Sequence, residues 1–325
     1  MNLKRLLLVL LLASILLAGC AYVNIPLFRP LEPLQERVLE GEGPAKILLM
    51  DISGFISEEA KSKGMELSNG ISDIAKIKEQ LQKAEQDRDI IGLVIRINSP
   101  GGTITATDIM HHELKEFKRK TGVFVAVYIM GVGASGGYYI ATLADEIIAS
   151  PTAITGSIGV IALKFDVHDL LGKIGVSSDA IKSGDKKDMG SPFRPLTGGE
   201  RELLQGIINQ MHQRFIEVVV QGRSKVLSEA EILKLADGRV YSAPQALESR
   251  LIDRIGYLDD AVSTVKKSRN VKTAKVVTYV RPGAYRGTVY SEGSAVSPQV
   301  FNLINVGGYG LSPLPGVQFL YLWWP

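Results

Sequence analysis

Two glycine-rich turns hold the residues best suited to do chemistry. Asn98-Ser99-Pro100-Gly101-Gly102 follows the apolar run Ile90 to Ile97, and Gly131-Val132-Gly133-Ala134-Ser135-Gly136-Gly137 follows the run Val123 to Met130. Paired glycines let a backbone come close to a ligand and turn its N–H groups toward it. A serine set between such turns can attack a carbonyl while those amides hold the developing oxyanion.

The second turn fits three patterns. Gly131, Gly133 and Gly136 spell the dinucleotide pattern G-x-G-x-x-G, yet the helical stretch that follows is only about two turns long and no acidic residue closes a second strand at the required distance. Gly133, Ser135 and Gly137 spell G-x-S-x-G, the nucleophile elbow of an esterase-like α/β-hydrolase, which needs a later histidine; His168 and His212 are the candidates. The third pattern uses lysine as the base. An amine at its ordinary pKa of about 10.4 is protonated and inert, and desolvation away from other cations lowers that value by several units. The loop Ile181 to Pro192 offers Lys182, Lys186 and Lys187, and Thr155-Gly156-Ser157-Ile158-Gly159 offers a hydroxyl able to orient an amine. Residue types alone leave the choice of lysine open.

The elements that must position these turns alternate. Lys46 to Ile52, Ile90 to Ile97, Val123 to Met130 and Glu146 to Ala149 read as strands. Ile71, Ile74, Ile77 and Leu81 recur at helical spacing, Leu114 and Phe117 sit in a second helix stopped by Gly122, and a short helix is expected from about Ser135 to Leu143. This rhythm implies a parallel sheet with crossover helices, so the class is α/β. On such sheets ligands bind at the carboxyl ends of the strands, where both turns lie. Residues 198 to 265 read as mainly helical, with Leu203, Leu204, Ile207, Ile208 and Met211 on one apolar face.

With 46% hydrophobic and 22% charged residues in 325, the composition excludes collagen-like, disordered and disulfide-scaffold classes. Only one stretch is long and apolar enough to enter a bilayer, so a polytopic membrane protein is excluded as well. Lys4 and Arg5 precede an apolar run from Leu6 to Ala18, a secretory pattern, and Leu17-Ala18-Gly19-Cys20 resembles the lipobox of bacterial lipoproteins. The expectation is a signal segment over 1–19, a lipidated Cys20 at the mature terminus and a Pro-punctuated linker over 20–44. The alternative is an uncleaved anchor spanning Leu6 to Val23. Either tethers the domain to the outer face of a cell membrane.

Cys20 is the chain's single cysteine, so no thiol remains to pair in an oxidising compartment. Without Lys4 and Arg5 the charge falls from +3 to +1, 35 bases against 34 acids, which gives no electrostatic case for nucleic acid. Lys115, Lys118, Arg119 and Lys120, balanced by Glu113 and Glu116, read as a solvated helix face. Residues 271–325 are expected to hold a strand and then an apolar tail: from Arg286 onward only Arg286 and Glu292 carry charge, and Phe319 to Trp324 is strongly apolar. That tail could pack on its own domain, meet a subunit or membrane, or occupy the protein's own groove.

Five motifs in order carry a resemblance. Ser-Pro-Gly-Gly at 99–102, Ala-Ser-Gly-Gly-Tyr-Tyr at 134–139, Thr-Gly-Ser-Ile-Gly at 155–159, Lys-Asp-Met-Gly-Ser-Pro at 187–192 and Ala-Asp-Gly-Arg-Val-Tyr at 236–241 resemble bacterial signal peptide peptidase A in its short single-module form, over about residues 45–270. The resemblance implies a Clp-protease/crotonase-like fold with repeated β-β-α and βαβ units and a helical C-terminal part. It further implies a membrane-tethered serine endopeptidase that degrades cleaved signal peptides and other apolar peptides by a Ser-Lys dyad, with no cofactor or metal. Position by position it makes Ser135 the nucleophile, Lys187 the general base and Ser157 the hydroxyl that orients the lysine, with the oxyanion held by the N–H groups of Gly102 and Gly136. In the tandem form of that family the lysine of one module serves the serine of the other. A single-module chain is therefore expected to assemble each site across subunits of a ring-like homo-oligomer. Crotonase-type acyl chemistry and a non-catalytic membrane scaffold are the competing expectations; export argues against the first, since CoA is cytosolic.

Overall fold

Runs of Val, Ile and Leu become neighbouring strands in the computed structural model, which describes residues 32–59, 71–282 and 317–323. The expected signal segment, Cys20 and the stretch 283–316 lie outside the described residues. In chain order the elements are β1 (Gln35–Glu40), β2 (Lys46–Ser53), α1 (Asp73–Glu85), β3 (Ile90–Ser99), β4 (Gly101–Thr103), α2 (Ile104–Thr121), β5 (Phe124–Ala134), α3 (Gly136–Ala141), β6 (Glu146–Ala149) and β7 (Ile154–Gly156). There follow β8 (Ile161–Leu163), α4 (His168–Lys173), α5 (Gly198–Arg223), α6 (Glu229–Leu235), β9 (Val240–Ser242), α7 (Ala243–Glu248), β10 (Arg254–Ile255), α8 (Leu258–Ser268), β11 (Lys275–Val280) and β12 (Gln318–Leu322).

The main sheet runs β1-β11-β2-β3-β5-β6-β10, with β7 pairing β5 and β9. Its central pairs β2/β3, β3/β5 and β5/β6 are parallel, as the alternation of runs and helices requires. Both faces are covered. Leu48, Met50, Leu93, Ile95, Val125 and Val127 share a core with Ile77 and Leu81 of α1 and Met110, Leu114 and Phe117 of α2. Ile47, Leu49, Val94, Ala126 and Ile148 pack instead on Leu258, Ala261, Val262 and Val265 of α8. Burial on two faces is why these strands are continuous apolar runs.

Local capping groups end the helices, and Gly122 does so as expected. Ser72 caps α1 through Ala75 N–H, Thr103 caps α2 through Ala106 N–H, and Gly122 closes α2 in the left-handed region at φ 63°. Strand β5 runs past the expected Met130 to Ala134, because Val132 to Ala134 pair with β7. The apolar face expected on α5 is only partly covered: Leu203 is 52% exposed while Phe215, Ile216, Val218 and Val219, about three to four turns further on, are buried. The buried second half of this long helix packs Phe215 on Tyr139 of α3. The basic cluster of α2 is solvated and paired, Arg119 with Glu116, Lys118 with Asp145 and Lys120 with Glu85.

A second sheet has three strands in the order β4-β12-β8. Both of its pairings are antiparallel, so a segment near the C-terminus lies between the first glycine turn and the strand that follows Ser157.

Candidate active site

Strands β3 and β5 end side by side, and this brings the two glycine turns together. Asn98 Oδ1 accepts the Val132 N–H at 3.1 Å, fastening one turn to the other. Ser99 is fully buried; its hydroxyl donates to Gly54 O at 2.6 Å and accepts the Gly101 N–H at 3.1 Å. Ile56 takes up the next donors and acceptors, its N–H bonding Gly101 O at 3.0 Å and its carbonyl accepting Thr103 N–H at 2.9 Å. Strand alternation then turns the Gly102 N–H to the opposite side, toward β12.

Ser135 sits between β5 and α3 with φ 50° and ψ −113°, a region that costs a non-glycine residue about 1–3 kcal/mol. The surroundings enforce it: Ser135 N–H donates to Gly156 O at 2.8 Å, and Ser135 O accepts from Tyr139 N–H at 2.8 Å. The sharp bend leaves the Gly136 N–H in the first turn of α3, where a helix supplies no partner of its own. Gly136 is required there, since a Cβ would stand 2.7 Å from Thr107 Oγ1 and 3.1 Å from Gly101 Cα. Ser135 is 1% exposed and its Oγ has no hydrogen-bond partner among the described residues. A buried hydroxyl without a partner is costly as structure and expected of a nucleophile awaiting its base.

Ser157 is buried and also has positive φ, 52°, following Gly156 at the end of β7; its N–H donates to Arg239 O at 2.8 Å. It lines a cavity of about 420 Å³ together with His212, Asp237, Leu322 and Trp323. Lys187 is elsewhere. It lies exposed in the loop after α4, where its N–H donates to Gly184 O at 3.0 Å, and no hydroxyl or carboxylate meets its amine among the described residues. The neighbouring Lys186 points its amine to 3.9 Å from where a Cβ on Gly199 would stand, at the start of α5. Lys182 pairs with Asp188 at 2.7 Å. One chain therefore brings Ser135, Gly102, Gly136 and Ser157 together and leaves Lys187 outside.

No histidine hydrogen-bonds the Ser135 hydroxyl among the described residues. His168 Nδ1 is 3.0 Å from Phe193 O, and His212 Nε2 is buried without a partner among the described residues. His111 is buried beside α3, and desolvation, helped by the nearby Lys115 charge, lowers its pKa to about 4. No three His, Cys, Asp or Glu side chains gather as metal ligands among the described residues.

The occupant of the cleft was the residue set hardest to place in advance. Tyr321 lies opposite Gly102, and Trp323 N–H donates to Pro100 O at 2.9 Å. The Tyr321 carbonyl oxygen is 1.9 Å from where a Cβ on Gly101 would be and 3.2 Å from the same point on Gly136. The apolar stretch Phe319 to Trp324 was the signal; nothing in its spacing says which glycine it meets.

Residues 56–154 match the description Clp protease, and residues 117–272 match Peptidase family S49. The chain is 34% identical over 250 residues to a candidate signal peptide peptidase SppA of Enterococcus faecium, covering 76% of this chain and 71% of that protein. The chain belongs to peptidase family S49. This S49 peptidase is also 33% identical to protease 4 of Haemophilus influenzae and 32% identical to the chloroplastic serine protease SPPA of Arabidopsis thaliana, over 74% and 73% of its length. It spans 37% and 34% of those longer proteins. Among solved structures a mutant of the 1510-N membrane-bound stomatin-specific protease aligns at TM-score 0.42 and 13% identity, covering 68% of this chain and 85% of that one. The S49 peptidase is thus a serine protease of the Clp-protease-like α/β class, as its motifs implied. Among the described residues no helix is long and apolar enough to cross a membrane.

Proposed function

We propose that this S49 peptidase cleaves apolar peptides, cleaved signal peptides among them, with Ser135 as nucleophile and Lys187 of a neighbouring copy as general base. The observation that carries the reading is the orphaned, strained Ser135 hydroxyl between two glycine N–H donors, in a chain whose matching lysine stands in solvent.

The segment bearing Lys187 supports assembly across copies. Phe165, Leu170, Ile174, Val176 and Ile181 are all exposed, and α4 buries none of its residues. An apolar stretch of this length finds cover in a partner surface. The cavity beside Ser157 offers the arriving amine a hydroxyl to orient it, and the neighbouring copy that brings the amine covers the cavity from water, which favours the neutral form.

The steps follow. Neutral Lys187 takes the Ser135 proton as Oγ attacks the scissile carbonyl carbon, and the N–H groups of Gly102 and Gly136 hold the oxyanion. Lys187 then protonates the leaving amine, and water, deprotonated by the same amine, releases the acyl group. The substrate lies as an added strand between β4 and β8, the place β12 takes, so main-chain hydrogen bonds hold it in register. Cys20, or the apolar segment before it, tethers the domain to the extracytoplasmic face of the cell membrane, near peptides left in the bilayer.

A fluorophosphonate probe tests the reading. Labelling at Ser135 that needs an intact Lys187 and survives a chelator is the expected result; labelling elsewhere, or loss with chelator, contradicts it.

A further inference from the structure

A buried polar atom without a partner is costly, and α5 carries one. His212 Nε2 is shut off from solvent and meets no hydrogen-bond partner among the described residues. It lines the cavity of about 420 Å³ that Ser157 to Ile161 also line. Gln205, Ile208 and Asn209 join it there, spaced as one face of the helix, and Gln205 Nε2 donates to Asn209 Oδ1 at 2.9 Å. A stripe with three polar side chains thus borders the cavity.

The ladder beside the cavity tells which part of a peptide reaches it. A strand in the cleft pairs with β8 only as far as Leu320 with Ile161, while its other edge stays on the first glycine turn until Trp323 N–H meets Pro100 O at 2.9 Å. Leu322 and Trp323, past the end of the β8 pairing, line the cavity. In the Ser135 reading a peptide in this register is cut after the residue opposite Gly102, so these two places belong to the first and second residues beyond the scissile bond. Side chains two apart on a strand share a face. The Tyr321 hydroxyl reaches α5 at Met211 O, 2.7 Å away, so the side chain two residues further on turns to the same helix, where His212 and Asn209 lie. We propose that this cavity is the subsite for the second residue beyond the scissile bond, and that His212 selects there an amide or hydroxyl side chain over an apolar one.

The selection follows from hydrogen-bond bookkeeping. An imidazole nitrogen is a donor or an acceptor according to its tautomer, and an amide or hydroxyl side chain satisfies either. An apolar side chain of the same shape leaves Nε2 buried and unpaired, a loss of about tenfold. The carboxylate that lines the cavity, Asp237, is paired with Arg239, which leaves it little pull on a cationic side chain. The substrate class is therefore a peptide whose apolar run gives way to a neutral polar residue two positions past the cut.

The proposal rests on the Ser135 reading, and its test separates the two. Wild-type, His212→Phe and His212→Gln proteins are assayed on acetyl-Ala-Leu-Leu-Phe-Leu-Asn-Ala amide and on its analogue with Leu for Asn, with cut sites read by mass spectrometry. The two peptides match in shape and differ in hydrogen bonding. Wild-type protein should cut the Asn peptide after Phe with kcat/KM about tenfold above the analogue. His212→Phe should bring that ratio to about one, and His212→Gln, which keeps a donor and an acceptor, should retain most of it. A merely structural histidine would slow both peptides alike and leave the ratio unchanged. A wild-type ratio of about one, a preferred cut that does not leave Asn second beyond it, or a ratio that survives His212→Phe overturns the proposal. Should His212→Phe fail to fold, His212→Leu serves with the same expected ratio. Ser135→Ala protein that binds the Asn peptide about tenfold tighter, while wild-type protein cuts neither peptide, sinks the catalytic reading and leaves the subsite; equal cutting of both peptides sinks the subsite alone.

Discussion

Tyr321 and Gly102 face each other across an antiparallel pair, 219 residues apart in the chain. The pairing shows which way the glycine turn points. With Gly101 O and Thr103 N–H spent on Ile56, the Gly102 N–H is directed at the Tyr321 carbonyl side, and the Gly136 backbone approaches from α3. The Gly102 strand thus faces the Tyr321 carbonyl with the Gly136 backbone close by and an unpartnered serine hydroxyl in the adjoining turn.

Substitution at the dyad should be severe. Ser135→Ala and Lys187→Ala each lower kcat by at least about a thousandfold. Lys187→Arg fails equally, because a guanidinium stays protonated and takes no proton. Ser157→Ala lowers kcat by about tenfold with KM and Tm little changed, since it loses only the group that orients the amine. Steady-state kinetics on an apolar peptide separates these outcomes, and a Ser157→Ala protein as inactive as Ser135→Ala would make that hydroxyl more than an orienting group.

The glycines of the first turn admit no side chain. A Cβ on Gly102 would stand 1.9 Å from Ile56 O and 2.6 Å from Ile56 N, so Gly102→Ala pushes the turn off Ile56 and misaims its N–H. Loss of one oxyanion donor costs about a hundredfold or more in kcat. Gly101→Ala acts differently, because its φ of +105° and a Cβ position 1.9 Å from Tyr321 O expel whatever strand lies in the cleft, and it should raise KM as well.

His111 makes folding sensitive to mild acid. Its folded pKa of about 4 lies below the unfolded value of 6.5, so the unfolded chain binds the extra proton between them. Stability is whole above pH 6.5 and falls by about 3 kcal/mol as the pH drops to 4. Chemical denaturation across that window should show the decline, and His111→Phe should flatten it. An unchanged slope in the variant would assign the acid sensitivity to other groups.

The loop that carries Lys187 is braced through its neighbour. Asp188 accepts from Lys182 and Arg194, and Arg194 also bonds Glu200, the residue that completes the cap of α5 with Thr197. These bonds hold Glu200 down to about 2, the Arg194 hydrogen bond being the largest cause. Asp188→Asn should therefore lower kcat by about tenfold through a misplaced Lys187 while the fold stands. A matching loss of Tm would make the brace a matter of stability only.

Much of this was legible in the residues. Branched runs at 46–52, 90–97 and 123–130 marked strands buried on two faces, and Gly122 marked a helix end where the cap forms. The two glycine turns announced themselves by composition, and their convergence followed from the parallel sheet. What could not be read was non-local. The choice among Lys182, Lys186 and Lys187 depends on tertiary and intermolecular partners: all three are exposed, and Lys182 pairs with Asp188. The place of Phe319 to Leu322 depends on a free strand edge between β4 and β8, which the tail's own sequence does not encode. Thr107 gave no signal, and the part played by Asn98 and Ser99 within their turn could not be read, because the work of all three is to hold glycine backbones in place.

Whether the site is shared between copies is decided by mixing two inactive proteins. Ser135→Ala protein and Lys187→Ala protein are unfolded together, refolded, and assayed on an apolar peptide beside each alone. A sound serine in one copy and a sound lysine in the next should restore up to about a quarter of wild-type activity, and fluorophosphonate should label the Lys187→Ala copies in the mixture. If the mixture stays as inactive as its parts while wild-type protein refolded the same way recovers, Lys187 of a neighbouring copy is not the base that serves Ser135.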